Sequence, residues 1–152
     1  MAIAYLGLGT NIGNKRRNII TAAALLAERV GDILALSGFY ETEPWGFESE
    51  NFFLNAAVKL KTSFSPLELL QITQQIEKEL GRTEKSNGAY HDRIIDIDIL
   101  LYDDEVLRTP QLTLPHSLMH ERKFVMDPLS EIAPFVVHPV LKERIIDLKE
   151  RL

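Results

Sequence analysis

Arg93-Ile94-Ile95-Asp96-Ile97-Asp98-Ile99-Leu100-Leu101-Tyr102 is the stretch on which the reading of this chain turns. Its aliphatic residues predict a buried strand, yet it carries two carboxylates. Side chains two apart on a strand share one face. Asp96 and Asp98 therefore point one way, and Ile95, Ile97 and Ile99 the other. Two carboxylates that close repel each other, and burying either is costly. A divalent cation removes both problems, and Mg²⁺ suits the pattern because it takes one or two carboxylates together with waters and substrate phosphates. A solvated edge face, or ion pairs to Arg93 or another base, would also account for it.

Working outward toward the N-terminus, a polar loop over 82–92 precedes the acidic strand. Before it lies the best-marked helix. Ser65 can cap, Pro66 fits the first helical position, and Glu68 completes a capping box. Leu69, Ile72, Ile76 and Leu80 form its apolar stripe, and Gly81 suits the position after the cap. Further out the pattern predicts a strand over 52–60, a Pro/Gly loop over 44–50, a strand over 33–41, and a first strand over 2–8. Ile19, Ala22, Ala23, Leu26 and Val30 lie at helical spacing between the first two strands, with Gly31 ending that helix.

The order strand, helix, strand, strand, helix, strand is the split βαβ or ferredoxin-like pattern, an α+β fold with an antiparallel sheet. Both helices should cover one sheet face and leave the other for the C-terminal additions and a ligand. Those additions are a turn at Asp103-Asp104, apolar pieces at 105–107 and 112–116, short helices near 117–124 and 127–132, and a last amphipathic helix over 140–152.

The chain has 152 residues, enough for a single domain spanning 1–152 with a real core. Its net charge of −5 argues against a general nucleic-acid or acidic-membrane binder. There is no cysteine, so thiolate metal sites are excluded and Asp, Glu and His remain as ligands. The start, Met1 to Leu6, lacks a basic leader pattern, and no apolar run would span a bilayer; a soluble cytoplasmic domain is the expectation.

Gly7-x-Gly9 follows a strand but lacks the full dinucleotide register, since residue 12 is Ile12. Tight turn geometry explains these glycines. Arg82, Lys85, Arg93, Arg108, His116, His120, Arg122 and Lys123 are the groups around the acidic strand that could meet phosphate. His116 has no partner of metal-ligand spacing and reads as a phosphate donor or a packed histidine. Trp45, Phe47, Phe53 and Phe124 are either core or rings for a planar substrate. Asn55 shares parity with Phe53 and either reads a heterocycle edge or satisfies a neighbouring backbone group. Residue patterns alone leave three classes open: a phosphoryl-group transferase, a metal-dependent phosphohydrolase or nucleotidyltransferase, and a non-catalytic ligand sensor.

Four ordered motifs narrow this: Phe39-Tyr40-Glu41-Thr42, Phe53-Leu54-Asn55-Ala56-Ala57-Val58, Arg93-x-x-Asp96-x-Asp98-Ile99-Leu100, and Leu112-x-Leu114-Pro115-His116 followed by Arg122-x-Phe124. With them the chain resembles the 6-hydroxymethyl-7,8-dihydropterin pyrophosphokinases of folate biosynthesis. The resemblance implies pyrophosphoryl transfer from ATP to the pterin hydroxymethyl oxygen, giving AMP, by a monomer that uses two Mg²⁺ ions. It implies that Asp96 and Asp98 hold the metals and that Arg82 and Arg93 engage the moving phosphates. It assigns Phe53 and Phe124 to stacking on the pterin, and Asn55, Thr42, Pro44 and Trp45 to the rest of that pocket. It assigns Leu70, Gln74, Glu77, Arg93, Ile99, Thr113, His116, Ser117 and Arg122 to the nucleotide. The chain departs from the family pattern at Glu43, Glu84, Gln111 and Ser117, and by one extra residue in the loop ending at Arg93. The loops over 43–51 and 82–92 are expected to close over the site.

Overall fold

A computed structural model describes residues 1–42, 52–81 and 94–152. The chain runs β1 (Ala2–Thr10), α1 (Lys15–Arg29), β2 (Gly31–Leu36), β3 (Tyr40–Thr42), β4 (Phe53–Thr62), α2 (Pro66–Glu79) and β5 (Asp96–Tyr102). A short hairpin of β6 (Leu107–Arg108) and β7 (Thr113–Leu114) follows, then a 3₁₀ turn (Met119–Glu121), α3 (Lys123–Ile132) and α4 (Ile145–Glu150). The main sheet is antiparallel in the order β2-β4-β1-β5, with β3 pairing the other end of β4. This is the ferredoxin-like order with its second strand broken in two.

Local chemistry starts and stops the helices. The Asn14 side chain accepts the Arg17 amide at 3.1 Å and caps α1. Ser65 and Glu68 form the reciprocal capping box on α2, at 3.3 and 3.0 Å. Gly81 follows the α2 cap at φ +115°, a conformation that favours glycine.

Some expectations move. The strand predicted over 33–41 is interrupted at Ser37. The Ser37 amide donates to the Ala57 carbonyl at 2.9 Å, while the Ser37 hydroxyl accepts the Ala57 amide at 2.8 Å. A side chain thus takes the place of the strand's own carbonyl, and the backbone leaves the ladder before rejoining it as β3. Gly31 follows the α1 cap at Val30 as expected, but without the left-handed conformation of Gly81. It opens β2, where a Cβ would lie 1.9 Å from the Lys61 carbonyl oxygen, so the strands approach closely only because it is glycine. The last helix is shorter than predicted. The buried His138 ring accepts the Val140 and Leu141 amides at 3.2 and 3.0 Å, folding that stretch into a turn ahead of α4.

The sheet separates two apolar layers. Leu6, Leu8, Leu60, Ile97 and Ile99 pack with Ile19, Leu26, Leu69 and Ile76 of α1 and α2. On the opposite face Tyr5, Ala57, Leu100 and Leu101 pack with Met126 and Leu129 of α3 and Ile145 and Leu148 of α4. The β1–β5 register shifts between Tyr5 and Leu6, so Leu100 and Leu101 both reach this second layer. As expected, α1 and α2 share one face and α3 and α4 take the other, but the β6–β7 hairpin departs from the expectation, since Leu107, Leu112 and Leu114 pack into the layer of α1 and α2. Among the described residues no helix is long and apolar enough to cross a membrane.

Candidate active site

A single row crosses four strands. Tyr40 pairs with Asn55, Asn55 with Gly9, and Gly9 with Asp96. The next row runs Ala57, Gly7, Asp98. Residues paired across antiparallel strands project to the same face. Tyr40, Asn55, Asp96 and Asp98 therefore stand on the face that α3 covers. Gly7 and Gly9 lie inside β1 rather than in a turn, which corrects the expectation made for them. A Cβ on Gly9 would sit 3.2 Å from Asn55 Oδ1 and 3.7 Å from the Phe53 ring. Glycine there keeps a bare backbone floor between the amide and the carboxylates.

On one side of that floor the structure joins Thr42, Phe53 and Asn55. Thr42 pairs with Phe53, and the Asn55 amide nitrogen donates to Thr42 Oγ1 at 2.8 Å and to the Tyr40 carbonyl at 3.4 Å. Asn55 is 5% exposed, so its amide is held in one orientation by its surroundings. Phe124 stands half-buried at the start of α3, which packs across β4, β3 and β1. The Arg122 guanidinium lies 5.8 Å from its ring centre. Pro44 and Trp45, with the rest of the loop over 43–51, lie outside the described residues.

On the other side Asp96 and Asp98 are half-buried and alternate with buried Ile97 and Ile99, as strand periodicity requires. Among the described residues no group of three or more His, Cys, Asp or Glu side chains forms a metal cage. Two carboxylates on one open strand face instead match the donor set of Mg²⁺, which retains waters and phosphate oxygens as its other ligands. The residues present thus fit that ion.

Glu77, expected on the nucleotide side, is buried, and its Oε2 accepts the Ile97 amide at 2.8 Å. That amide lies between the two aspartates in the chain, on the edge of β5 away from β1. His116 is tied to β5 through its own amide, which donates to the Leu100 carbonyl at 2.9 Å. Its Nδ1 accepts the Leu118 amide at 3.3 Å, which leaves the proton of the neutral ring on Nε2. Burial lowers the His116 pKa and the Arg122 charge lowers it further, against an opposing pull from Asp96. The side chain is thus a neutral donor near the buried Arg122.

Leu70 and Gln74 line a cavity of about 330 Å³ with Leu67, Gln71 and Gln111. Positions 67, 70, 71 and 74 share one face of α2 by helical spacing. Gln71 was not singled out by the sequence, whose only signal was that same spacing. Thr113 and Ser117 are exposed, whereas the Ile99 side chain belongs to the core beneath α1 and α2. Arg82 and Arg93, with the loop over 82–92, lie outside the described residues.

Comparison with known proteins shows the family of the chain. The family model of 7,8-dihydro-6-hydroxymethylpterin-pyrophosphokinase matches residues 5–134. The 2-amino-4-hydroxy-6-hydroxymethyldihydropteridine pyrophosphokinase of Porphyromonas gingivalis is 55% identical over 141 residues, covering 91% of this chain and 95% of its own. That of Aquifex aeolicus is 44% identical over 149 residues, covering 98% and 91%. Among solved structures, the wild-type HPPK-DHPS of Plasmodium falciparum with pteroate superposes with a TM-score of 0.80 at 19% identity. The match covers 99% of this chain but only 44% of that larger one, and it bears on the fold alone.

Proposed function

This chain belongs to the 7,8-dihydro-6-hydroxymethylpterin-pyrophosphokinase family, and we propose that it transfers the pyrophosphoryl group of ATP to 6-hydroxymethyl-7,8-dihydropterin, releasing AMP. The observation that carries the reading is the row Tyr40, Asn55, Gly9, Asp96, which sets an amide for a heterocycle beside a carboxylate for a metal with only backbone between them.

Phe53 and Phe124 stack on the pterin, and Asn55 reads its edge with one donor and one acceptor. Thr42 holds that amide in place, with Pro44 and Trp45 completing the pocket. Asp96 and Asp98 would hold Mg²⁺, two ions in this reading, and the metal would neutralise phosphate oxygens and polarise the attacked phosphorus. His116 donates from Nε2 to a phosphate oxygen without adding charge, and Arg122 adds the charge beside it. Leu70 and Gln74 line the base cleft, Thr113 and Ser117 flank the ribose side, and Ile99 offers backbone at the open edge of β5. Glu77 acts by holding that strand. Arg82 and Arg93 serve the transferring phosphates on the strength of the sequence motif. With both substrates aligned, the alcohol needs no strong base before bond formation, so positioning supplies much of the rate.

In this reading residues 1–152 work as a single pyrophosphokinase domain, as a monomer in the cytoplasm, with small-molecule partners only and neither nucleic acid nor membrane. Incubation with ATP, Mg²⁺ and 6-hydroxymethyl-7,8-dihydropterin tests it. AMP with a pterin diphosphate is the expected product pair, and ADP would overturn the assignment.

A further inference from the structure

Glu131 lies on α3 and spends both carboxylate oxygens on another part of the molecule. The Gly38 amide donates to Oε1 and Oε2 at 3.1 and 3.0 Å, and the Tyr40 hydroxyl donates to Oε1 at 2.5 Å. Gly38 sits in the break between β2 and β3, and Tyr40 opens β3. A Cβ on Gly38 would lie 3.4 Å from Oε1, so glycine lets the carboxylate come up to the amide.

The placement gives this contact a consequence. Phe124 and Glu131 are seven residues apart, two turns along one face of α3. Thr42 lies two residues beyond Tyr40 on β3, and Tyr40 pairs directly with Asn55. One carboxylate therefore ties the helix that carries Phe124 to the short strand that carries Thr42. β3 has three residues and, among the described residues, pairs with β4 alone, so its own ladder holds it weakly. Charge-assisted bonds to its first side chain and to the amide two residues before it are strong by comparison.

We propose that Glu131 is a positioning residue for the pterin, fixing the distance between the Phe124 wall and the Thr42–Phe53–Asn55 wall through Tyr40 and Gly38. The inference rests on the pterin-pocket reading above. Glu131 touches no reacting atom in it. Its effect is on one substrate only, because the base cleft on α2 and the carboxylates on β5 are anchored elsewhere.

The test compares Glu131→Ala, Glu131→Gln and Tyr40→Phe with wild type. Dissociation constants for 6-hydroxymethyl-7,8-dihydropterin and for a non-hydrolysable ATP analogue with Mg²⁺ are measured by calorimetry, and KM for each substrate by product formation. Glu131→Ala should weaken pterin binding roughly tenfold or more, the worth of a charge-assisted pair. The ATP analogue should change less than about twofold. Glu131→Gln, which keeps one acceptor oxygen, should recover part of the loss, and Tyr40→Phe should show the same one-sided pattern. Should Glu131→Ala fail to fold, the glutamine and phenylalanine variants decide the matter. Unchanged pterin affinity in the folded variants, or equal losses for both ligands, would overturn the proposal. If wild type itself makes no AMP from this pair of substrates, the functional reading has failed instead, and the wild-type control reveals that separately.

Discussion

Replacing Glu77 with leucine asks whether this carboxylate holds the acidic strand or touches the nucleotide. Glu77 is 4% exposed and accepts the Ile97 amide at 2.8 Å. Leucine fills similar space but offers no acceptor, so that buried amide loses its partner. Leaving a buried donor unmatched costs about 1–3 kcal/mol. In a domain of this length each kcal/mol is worth about 2–4 °C in melting temperature. Glu77→Leu should therefore melt roughly 2–12 °C below wild type. Glu77→Gln retains a carbonyl oxygen and exchanges a charge-assisted bond for a neutral one, so it should fall by less. Turnover should follow the same order, because the amide sits between Asp96 and Asp98 and a loosened strand misplaces both. Thermal melting by circular dichroism, exchange of the Ile97 amide by NMR and steady-state rates measure the three effects. A Glu77→Leu variant that melts with wild type and keeps its Ile97 amide protected would refute the reasoning. Loss of ATP affinity without loss of stability would return Glu77 to the nucleotide side.

Asp96→Asn and Asp98→Asn should each remove most turnover with Mg²⁺, while the metal-free melting temperature stays level or rises as repulsion in the pair is relieved; near wild-type turnover in both would remove the metal assignment. Phe53→Ala and Phe124→Ala should weaken pterin binding by about 2- to 13-fold each from lost stacking alone, on the scale of 0.5–1.5 kcal/mol per ring, with ATP binding spared; calorimetry that finds equal losses would make the rings plain core. The Tyr40 phenol is pushed up from 10.0 to about 12, chiefly by its hydrogen bond to Glu131, then by burial and by the nearby carboxylate charges of Glu131 and Asp127. Its folded pKa lies above its unfolded one, so the stability it contributes is complete below pH 10 and is lost as pH rises toward about 12. Denaturant melts across that window should show a shallower alkaline decline in Tyr40→Phe, and parallel curves for the two proteins would rule the bond out.

Much of the fold was legible because its signals are local. Ser65, Pro66 and Glu68 mark the start of α2 within four residues, and the aspartate face of β5 follows from a period of two. The motifs bearing Thr42, Phe53, Asn55 and Phe124 could be read off in order. Other readings failed or stopped short where a distant group intervened. The break at Ser37 needs the Ala57 backbone opposite it, and the tight entry to β2 at Gly31 needs the Lys61 carbonyl. Gly7 and Gly9 read as turn residues from their own neighbourhood. Only the strand on each side reveals that both lie inside β1 and that Gly9 is a floor.

The sequence by itself determined the element types, their ferredoxin-like order and the common face of Asp96 and Asp98. Each of these depends on residues within a turn of helix or two steps of strand. Tertiary structure alone decided that Asn55, Gly9 and Asp96 share a row, since a one-residue slip in either pairing would turn the amide or the carboxylates to the other face. It alone brought Glu77 to Ile97, 20 residues on, and Glu131 back to Tyr40 across 91 residues. A hydrogen bond between distant side chains has no period in the sequence, because its geometry exists only once the register of the sheet and the seat of the helix upon it are set.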